Sequence, residues 1–163
     1  MCKQICKFQA LPDSGTTTIR VMLDTNIYDR LEADSTGLAE LRSLVASERI
    51  KILMPRTVGD ELSRRPQGFP QHFEVTVVGH HVARAGLMCA GDALGEGHIF
   101  DVHLGEGTAK HIPDALIADT AATVADWYVS NDGRSRKRLI QQADDTKCRA
   151  MTYAGFVTEI TGL

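Results

Sequence analysis

Residues 19–26 have the sequence Ile-Arg-Val-Met-Leu-Asp-Thr-Asn, an apolar and partly β-branched run that ends abruptly at a carboxylate. The run has the length and composition of a buried β-strand. In parallel α/β sheets, functional side chains gather where strands end and helices begin. Asp24 is therefore the first candidate functional residue, although an Asp after a strand is also a common turn residue.

Outward from residues 19–26, strand-like and helix-like patterns alternate along the chain. Strand-like runs recur at 50–54, 73–78, 127–130 and 150–152. Helix-like patterns occupy 37–47, 57–65, the stretch that begins at Pro113, 134–142 and 153–160. Such alternation favours right-handed crossovers between parallel strands. We therefore predict an α/β three-layer sandwich with a central, mostly parallel sheet flanked by helices.

The length and composition fit one folded domain. The chain has 163 residues, of which 43% are hydrophobic and 24% are charged, close to the average of globular proteins. We assign residues 19–163 to a single domain and residues 1–18, which end in a turn-rich segment, to an N-terminal tail or a short extra element. The Gly-rich stretch 80–111 fits one short helix or strand plus loops.

Two predicted helices carry further acids. In the helix after the second strand, Thr57 is the predicted N-cap, so Asp60 falls at the third helical position and can complete a capping box. This leaves Glu61 without a structural role, and we select it as a candidate functional residue. In the helix that Pro113 opens, Asp114 lies in the first turn, where the helix dipole alone favours an acid. The apolar face of that helix is predicted to comprise Ile117, Ala121, Val124, Ala125 and Tyr128.

A fourth acid, Asp132, follows the predicted strand at 127–130 and completes a set with Asp24, Glu61 and Asp114. Carboxylates crowded at one edge of a sheet raise each other's pKa unless a cation lies among them. Hard oxygen ligands suit Mg²⁺ or Mn²⁺, which can lower the pKa of a bound water and neutralise charge on a leaving oxygen. The four acids therefore predict phosphodiester hydrolysis at a Mg²⁺ or Mn²⁺ site.

The segments around these acids resemble the four acidic signatures of the PIN-domain ribonuclease family. The segments are Asp24-Thr25-Asn26, Glu61-Leu62, Asp114-Ala115-Leu116-Ile117-Ala118 and Ser130-Asn131-Asp132, in the family's order and with similar gaps over most of residues 19–161. The resemblance implies a metal-dependent endonuclease for single-stranded RNA, often the toxin of a bacterial toxin–antitoxin pair and often dimeric. The partners it implies are thus single-stranded RNA, an antitoxin protein and a second copy of the chain.

The same resemblance assigns roles to individual residues. It implies that Asp24, Asp114 and Asp132 bind the metal, and that Glu61 holds metal-bound water or a second ion. Asn26 and Ser130 match family positions whose polar side chains support the acids by hydrogen bonding.

Positive charge is concentrated directly after Asp132. The cluster consists of Arg134, Arg136, Lys137 and Arg138. It fits a substrate-binding surface for RNA phosphates, with a solvated helix surface as the alternative. Arg64 and Arg65 also fit such a surface, but each lies four residues after an acid, Asp60 and Glu61 respectively, so ion pairs along the helix explain them equally well.

The remaining composition limits the class of partner and the compartment. The net charge of −3 argues against bulk electrostatic binding of a nucleic-acid duplex. The four cysteines, Cys2, Cys6, Cys89 and Cys148, lack zinc-site spacing and indicate reduced thiols in a cytoplasmic protein. A membrane span needs about 18 consecutive apolar residues, and no apolar run in the sequence is close to that length. No membrane partner is therefore expected.

The histidines carry no metal signature. Neither His80-His81 nor His98 and His103 have a partner at an established metal-ligand spacing, so we expect surface imidazoles.

Two other functional classes remain open. A phosphatase of the haloacid-dehalogenase type also begins with an Asp after a strand, but that family has a second Asp two residues later, where this chain has Asn26. A non-catalytic binding domain of the PIN type is the other alternative, with residues 80–111 as its interface.

Overall fold

The computed structural model describes residues 17–66, 72–82, 89–94, 112–133 and 147–163. The strands in these ranges are β1 (Ile19–Leu23), β2 (Ile50–Pro55), β3 (Val75–Val78), β4 (His81–Val82), β5 (Ala93–Leu94), β6 (Trp127–Val129) and β7 (Arg149–Met151). The helices are α1 (Thr25–Ala33), α2 (Ser35–Ala46), α3 (Arg56–Ser63), α4 (Ile112–Val124) and α5 (Tyr153–Thr161). The predicted tail up to residue 16 and the predicted helix 134–142 lie outside the described residues.

The main sheet has five strands in the order β3-β2-β1-β6-β7, and every pairing is parallel. In the central strand β1, the consecutive residues Val21, Met22 and Leu23 are all fully buried. Consecutive strand residues point to opposite faces, so both faces of the sheet are covered at this strand. The predicted fold class, an α/β three-layer sandwich around a parallel sheet, is confirmed.

Helix α1 was not predicted from the sequence. It begins directly after Asp24, which caps it by accepting a hydrogen bond from the Thr25 backbone N–H at 2.8 Å. Its buried residues are Ile27, Tyr28 and Leu31, and the rest of its nine residues are mostly polar. The spacing of Ile27 and Leu31 after a capping Asp was the available signal, but a helix this short gives a weak periodic pattern.

Helix α3 begins one residue earlier than predicted, and Thr57 is not its N-cap. Arg56 is its first residue and Pro55 occupies the cap position without a side-chain hydrogen bond. The predicted capping box between Thr57 and Asp60 is therefore wrong. The physical reason is a contact distant in sequence, because the Thr57 hydroxyl lies 2.7 Å from Nε2 of His80. The predicted burial of Val58 and Leu62 is confirmed.

Helix α4 is shorter than its apolar pattern suggested. It ends at Val124, so Ala125 lies beyond it and Tyr128 belongs to β6. The Asp126 N–H donates to the Arg20 carbonyl oxygen at 2.8 Å, which turns the chain from the helix into the sheet beside β1. Tyr128 is therefore buried as part of the sheet, whereas Ala125 is buried directly after the helix, where its N–H still donates to the Ala121 carbonyl oxygen.

The described part of the Gly-rich stretch forms a small parallel sheet from β4 and β5. The backbones of Gly79 and Gly91 approach closely here, since a Cβ built on Gly79 would lie 1.9 Å from the Gly91 carbonyl oxygen. Gly91 itself has a φ of 90°, a backbone conformation that favours glycine. Strand β4 packs against α4 and so joins the small sheet to the main domain.

Candidate functional site

The candidate site lies where β1 and β6 end side by side. These strands pair in register from Val21 with Trp127 to Leu23 with Val129. The Asp24 N–H continues the ladder by donating to the Val129 carbonyl oxygen at 2.9 Å. The two strand-end motifs, which lie about a hundred residues apart in sequence, are therefore adjacent in space.

Hydrogen-bond donors surround the carboxylate of Asp24. Its Oδ2 accepts from the Ser130 hydroxyl and from the Asn26 side-chain amide, both at 2.6 Å. Its Oδ1 accepts from the Thr25 backbone N–H at 2.8 Å. Ser130 is fully buried and Asn26 is exposed, so the carboxylate is held from the protein side and from the solvent side. The predicted supporting roles of Asn26 and Ser130 agree with these contacts.

The pKa of Asp24 is raised above its ordinary value despite these donors. Burial is the largest cause, and the negative charge of Asp114 acts in the same direction. The hydrogen bonds from Ser130, Thr25 and Asn26 lower the pKa but do not offset burial. Asp114 therefore lies close enough to Asp24 for their charges to repel, as predicted for acids gathered at one edge of the sheet.

Asp132 joins the same site through Ser130. Its backbone N–H donates to the Ser130 hydroxyl oxygen at 3.0 Å, while that hydroxyl donates to Asp24. One buried serine thus fixes both the Asp24 carboxylate and the turn that carries Asp132.

Glu61 reaches the site through Thr25, a residue that sequence reasoning did not single out. The Thr25 hydroxyl donates to Oε2 of Glu61, which joins α3 to the start of α1. The neighbouring Asp60 is exposed. The choice of Glu61 over Asp60 is consistent with this geometry, although the capping-box argument behind it is wrong.

Asn131 and Tyr153 extend the network to the last helix, and both were missed as site residues. The Asn131 N–H donates to Oδ1 of Asn26, and Oδ1 of Asn131 accepts from the Tyr153 N–H, each at 3.2 Å. The Tyr153 hydroxyl donates to Oδ2 of Asp34 at 2.9 Å. The start of α5 is therefore tied to the turn after β6 and to the cap of α2.

Two predicted groups of cations have different outcomes. The cluster Arg134, Arg136, Lys137 and Arg138 lies outside the described residues and stays a prediction. Arg65 does not pair with Glu61 along the helix, because it contacts Asp29 and, at 3.0 Å, Glu32 of α1. Arg65 thus connects α3 to α1.

Among the histidines, the prediction of surface imidazoles is wrong for His80, which is 3% exposed. Its ring lies against Arg56 and Thr57 at the start of α3. His98 and His103 lie outside the described residues. Cys89 is an exposed free thiol and Cys148 a buried one, whose pKa burial raises to about 12.

The donor set of the site fits Mg²⁺ or Mn²⁺ chemically. Its side chains offer carboxylate, hydroxyl and amide oxygens, and Mg²⁺ commonly takes only one or two carboxylates from a protein while keeping several waters. Among the residues that the structure describes, no three His, Cys, Asp or Glu side chains are grouped closely enough to hold a metal ion by themselves. A bound ion would therefore depend on waters and substrate oxygens as well.

Comparisons with known proteins add no family to this geometry. No protein-family model matches the chain, and no curated protein sequence matches it. Within the described ranges, none of the helices is long and apolar enough to cross a membrane.

Proposed function

We propose that this chain is a Mg²⁺- or Mn²⁺-dependent endoribonuclease of the PIN type that hydrolyses phosphodiester bonds in single-stranded RNA. The observation that carries the proposal is the state of Asp24. Its carboxylate is oriented by Ser130, Asn26 and the Thr25 N–H, yet burial and the charge of Asp114 disfavour its ionised form. A carboxylate that is held in place but electrostatically unfavourable is typical of a cation ligand before the cation binds.

Each acid has a role in this proposal. Asp24, Asp114 and Asp132 would hold the ion, and Glu61, oriented by the Thr25 hydroxyl, would hold the attacking water or a second ion. When bound, Mg²⁺ or Mn²⁺ supplies a lowered pKa for water and neutralises charge on the leaving oxygen. Ser130 and Asn26 hold Oδ2 of Asp24 and the Thr25 N–H holds Oδ1, so that little reorganisation is needed on binding.

The substrate and the partners belong to the same proposal. The net charge of −3 disfavours bulk binding of a duplex, which leaves capture of a single strand at the metal site. An antitoxin protein and a second copy of this chain are the partners that the PIN resemblance implies.

The test is cleavage of a fluorescent single-stranded RNA in Mn²⁺ or Mg²⁺, with and without EDTA. We expect EDTA to stop cleavage and Asp24→Asn to reduce kcat/KM by about a thousandfold, because the variant loses a ligand charge. Asp29→Asn is the matched control, since Asp29 is an exposed acid of α1 that contacts Arg65. Unchanged cleavage by Asp24→Asn would overturn the proposal.

Two further outcomes favour the alternatives. A covalent aspartyl-phosphate at Asp24 after incubation with a phosphate monoester would indicate a phosphatase. No change in the thermal unfolding midpoint on adding Mn²⁺ would favour a non-catalytic binding domain, because a ligand that binds only the folded state at ten times its Kd stabilises it by about 1.4 kcal/mol.

A further inference from the structure

A second polar cluster lies at the same edge of the sheet, beyond the ends of β2 and β3. Its members are Arg56, Thr57, His80 and Asp92, and we refer to it as the His80 cluster. The Asp92 side chain is fully buried, with 0% exposure, and accepts from the His80 N–H at 2.8 Å and the Cys89 N–H at 2.7 Å. Arg56 Nη2 also donates to both Asp92 oxygens at 3.0 Å.

Both ring nitrogens of His80 face polar groups at the start of α3. Arg56 Nη2 lies 3.2 Å from Nδ1, and the Thr57 backbone N–H lies 3.3 Å from Nε2, with the Thr57 hydroxyl at 2.7 Å. The Arg56 guanidinium can only donate, so its contact requires a lone pair on Nδ1, which an imidazolium lacks; Nε2 then carries the ring hydrogen and faces the Thr57 hydroxyl, which can accept it. The geometry therefore requires the neutral ring.

The charges around His80 shift its pKa in both directions, and burial determines the net shift. Burial lowers the pKa of His80 and Arg56 lowers it further, whereas Asp92 and Asp60 raise it, with a net shift below the ordinary value. These are the charged groups that face the ring from α3 and from the turn before β5. The neutral ring is thus favoured near pH 7.

The His80 cluster does not have the geometry of a nucleophile activated by a histidine and an acid. Such a relay needs a hydrogen bond from Nδ1 of His80 to Asp92, and the closest distance is 3.6 Å, too long for one. The guanidinium of Arg56 lies nearer to Nδ1. The contacts therefore indicate that His80 holds structure and does not activate Thr57.

The His80 cluster holds the first turn of α3 in place. Arg56 and Thr57 are the first two residues of that helix, and Glu61 lies four residues after Thr57 on the same face. The neighbouring His81 N–H donates to the Thr120 hydroxyl at 3.1 Å, in α4. Residues 80 and 81 thus contact both helices that bring acids to the candidate site, α3 with Glu61 and α4 with Asp114.

We propose that His80 is a positioning residue for Glu61, which it orients by holding the first turn of α3 through Arg56 and Thr57. The proposal rests on the proposed function for the catalytic role of Glu61. Proton uptake by His80 turns an N–H toward the guanidinium and breaks the contact with Arg56, so that the first turn of α3 is held only through the Arg56 contact with Asp92 and becomes looser. Cleavage therefore declines at acid pH through kcat, because the Glu61 contact with Thr25 is lost.

The test measures hydrogen exchange of α3 and kcat at pH 5.5 and pH 7.5, in the wild type and in His80→Gln. We expect wild-type protection of α3, corrected for intrinsic rates, to fall at pH 5.5, and kcat to fall roughly tenfold with KM unchanged. His80→Gln has no titrating ring, so its α3 protection should differ little between the two pH values, and its kcat should fall less at pH 5.5 than that of the wild type. His72→Gln, a half-buried histidine beside Glu32, is the matched control and should follow the wild type.

Equal protection of α3 at the two pH values in the wild type, or the wild-type pH response in His80→Gln, would overturn the positioning role. If His80→Gln does not fold, the wild-type exchange data and Thr57→Val, which removes the hydroxyl contact, decide the question. If no RNA is cleaved under any condition, the proposed function fails, while the exchange data still report whether His80 holds α3.

Discussion

Asp24 and Asp92 are carboxylates at the same edge of one sheet, yet their pKa values move in opposite directions. Burial opposes ionisation of both, and hydrogen bonds favour it in both. At Asp92 the backbone N–H groups of Cys89 and His80, and after them Arg56, outweigh burial, and the pKa is lowered. At Asp24 the neighbouring charge is that of Asp114, and the pKa is raised.

The opposite pKa shifts distinguish a polar cluster that contains its own counterion from one that needs a bound cation. Asp92 has its counterion within the chain, so its ionised form stabilises the fold. The Asp24 carboxylate is equally well oriented by hydrogen bonds. Among the described residues, the charge that acts on it is that of Asp114, which repels its negative charge. The positive charge that would complete it has to come from a bound cation or from residues beyond the described ranges.

The largest effect expected from this comparison is on activity, and it separates two adjacent acids of α3. Glu61→Gln should lower kcat/KM for RNA cleavage by about a hundredfold, because it removes the charge oriented by Thr25. Asp60→Asn is the matched control and should remain within about twofold, since Asp60 is exposed. Equal losses in the two variants would contradict the assignment of Glu61.

The next effect is on stability, and it compares two Arg–Asp pairs. Arg56→Met should lower the free energy of unfolding by about 2 kcal/mol in urea titrations, because it leaves Asp92 buried without its counterion. The value lies below that of a fully buried pair, since Arg56 is 34% exposed and Asp92 keeps its two backbone donors.

The matched control is Arg20→Met, which breaks the exposed pair with Asp126 and should cost only about 0.5 kcal/mol. Similar losses in the free energy of unfolding of the two variants would contradict the interpretation that Arg56 is the counterion of the His80 cluster.

The smallest effect is the pH dependence that Asp24 contributes in EDTA. Because its pKa is raised in the folded state, the fold binds more protons than the unfolded chain above pH 3.8, and stability falls as pH rises through the folded pKa. Asp24→Asn lacks this titration, so the wild type should lose stability relative to the variant as the pH rises from 3.8 toward neutral. Urea titrations of both proteins check this, and a constant difference would mean that Asp24 is not electrostatically unfavourable.

Local sequence was sufficient for the fold class and for selecting the candidate acids. The apolar run before Asp24, the caps and the 3.6-residue periodicities depend on near neighbours, and the alternation of strands and helices then determines the sheet class. Asp24 and Asp132 are candidates because strand ends are visible in the sequence.

The contacts between distant segments could not be predicted in this way. Thr25 belongs to the candidate site because its hydroxyl contacts Glu61, which lies 36 residues away. The burial of His80 likewise depends on contacts with Arg56 and Asp92. Thr57 looked like a cap because capping reasoning considers neighbours along the chain, whereas its partner lies 23 residues away. Sequence patterns predict the acids, and tertiary contacts show which groups orient Asp24 and Glu61.

The crossing of Gly79 and Gly91 has a consequence for how this protein can vary. A side chain at position 79 would collide with the Gly91 carbonyl oxygen and separate His80 and Asp92, which directly precede β4 and β5. At Gly91 there is open space, and the backbone angle itself is what disfavours other residues. Substitutions are therefore restricted at Gly79 and Gly91, although neither residue has a functional side chain. These two glycines limit which mutations the chain tolerates, as its carboxylates do.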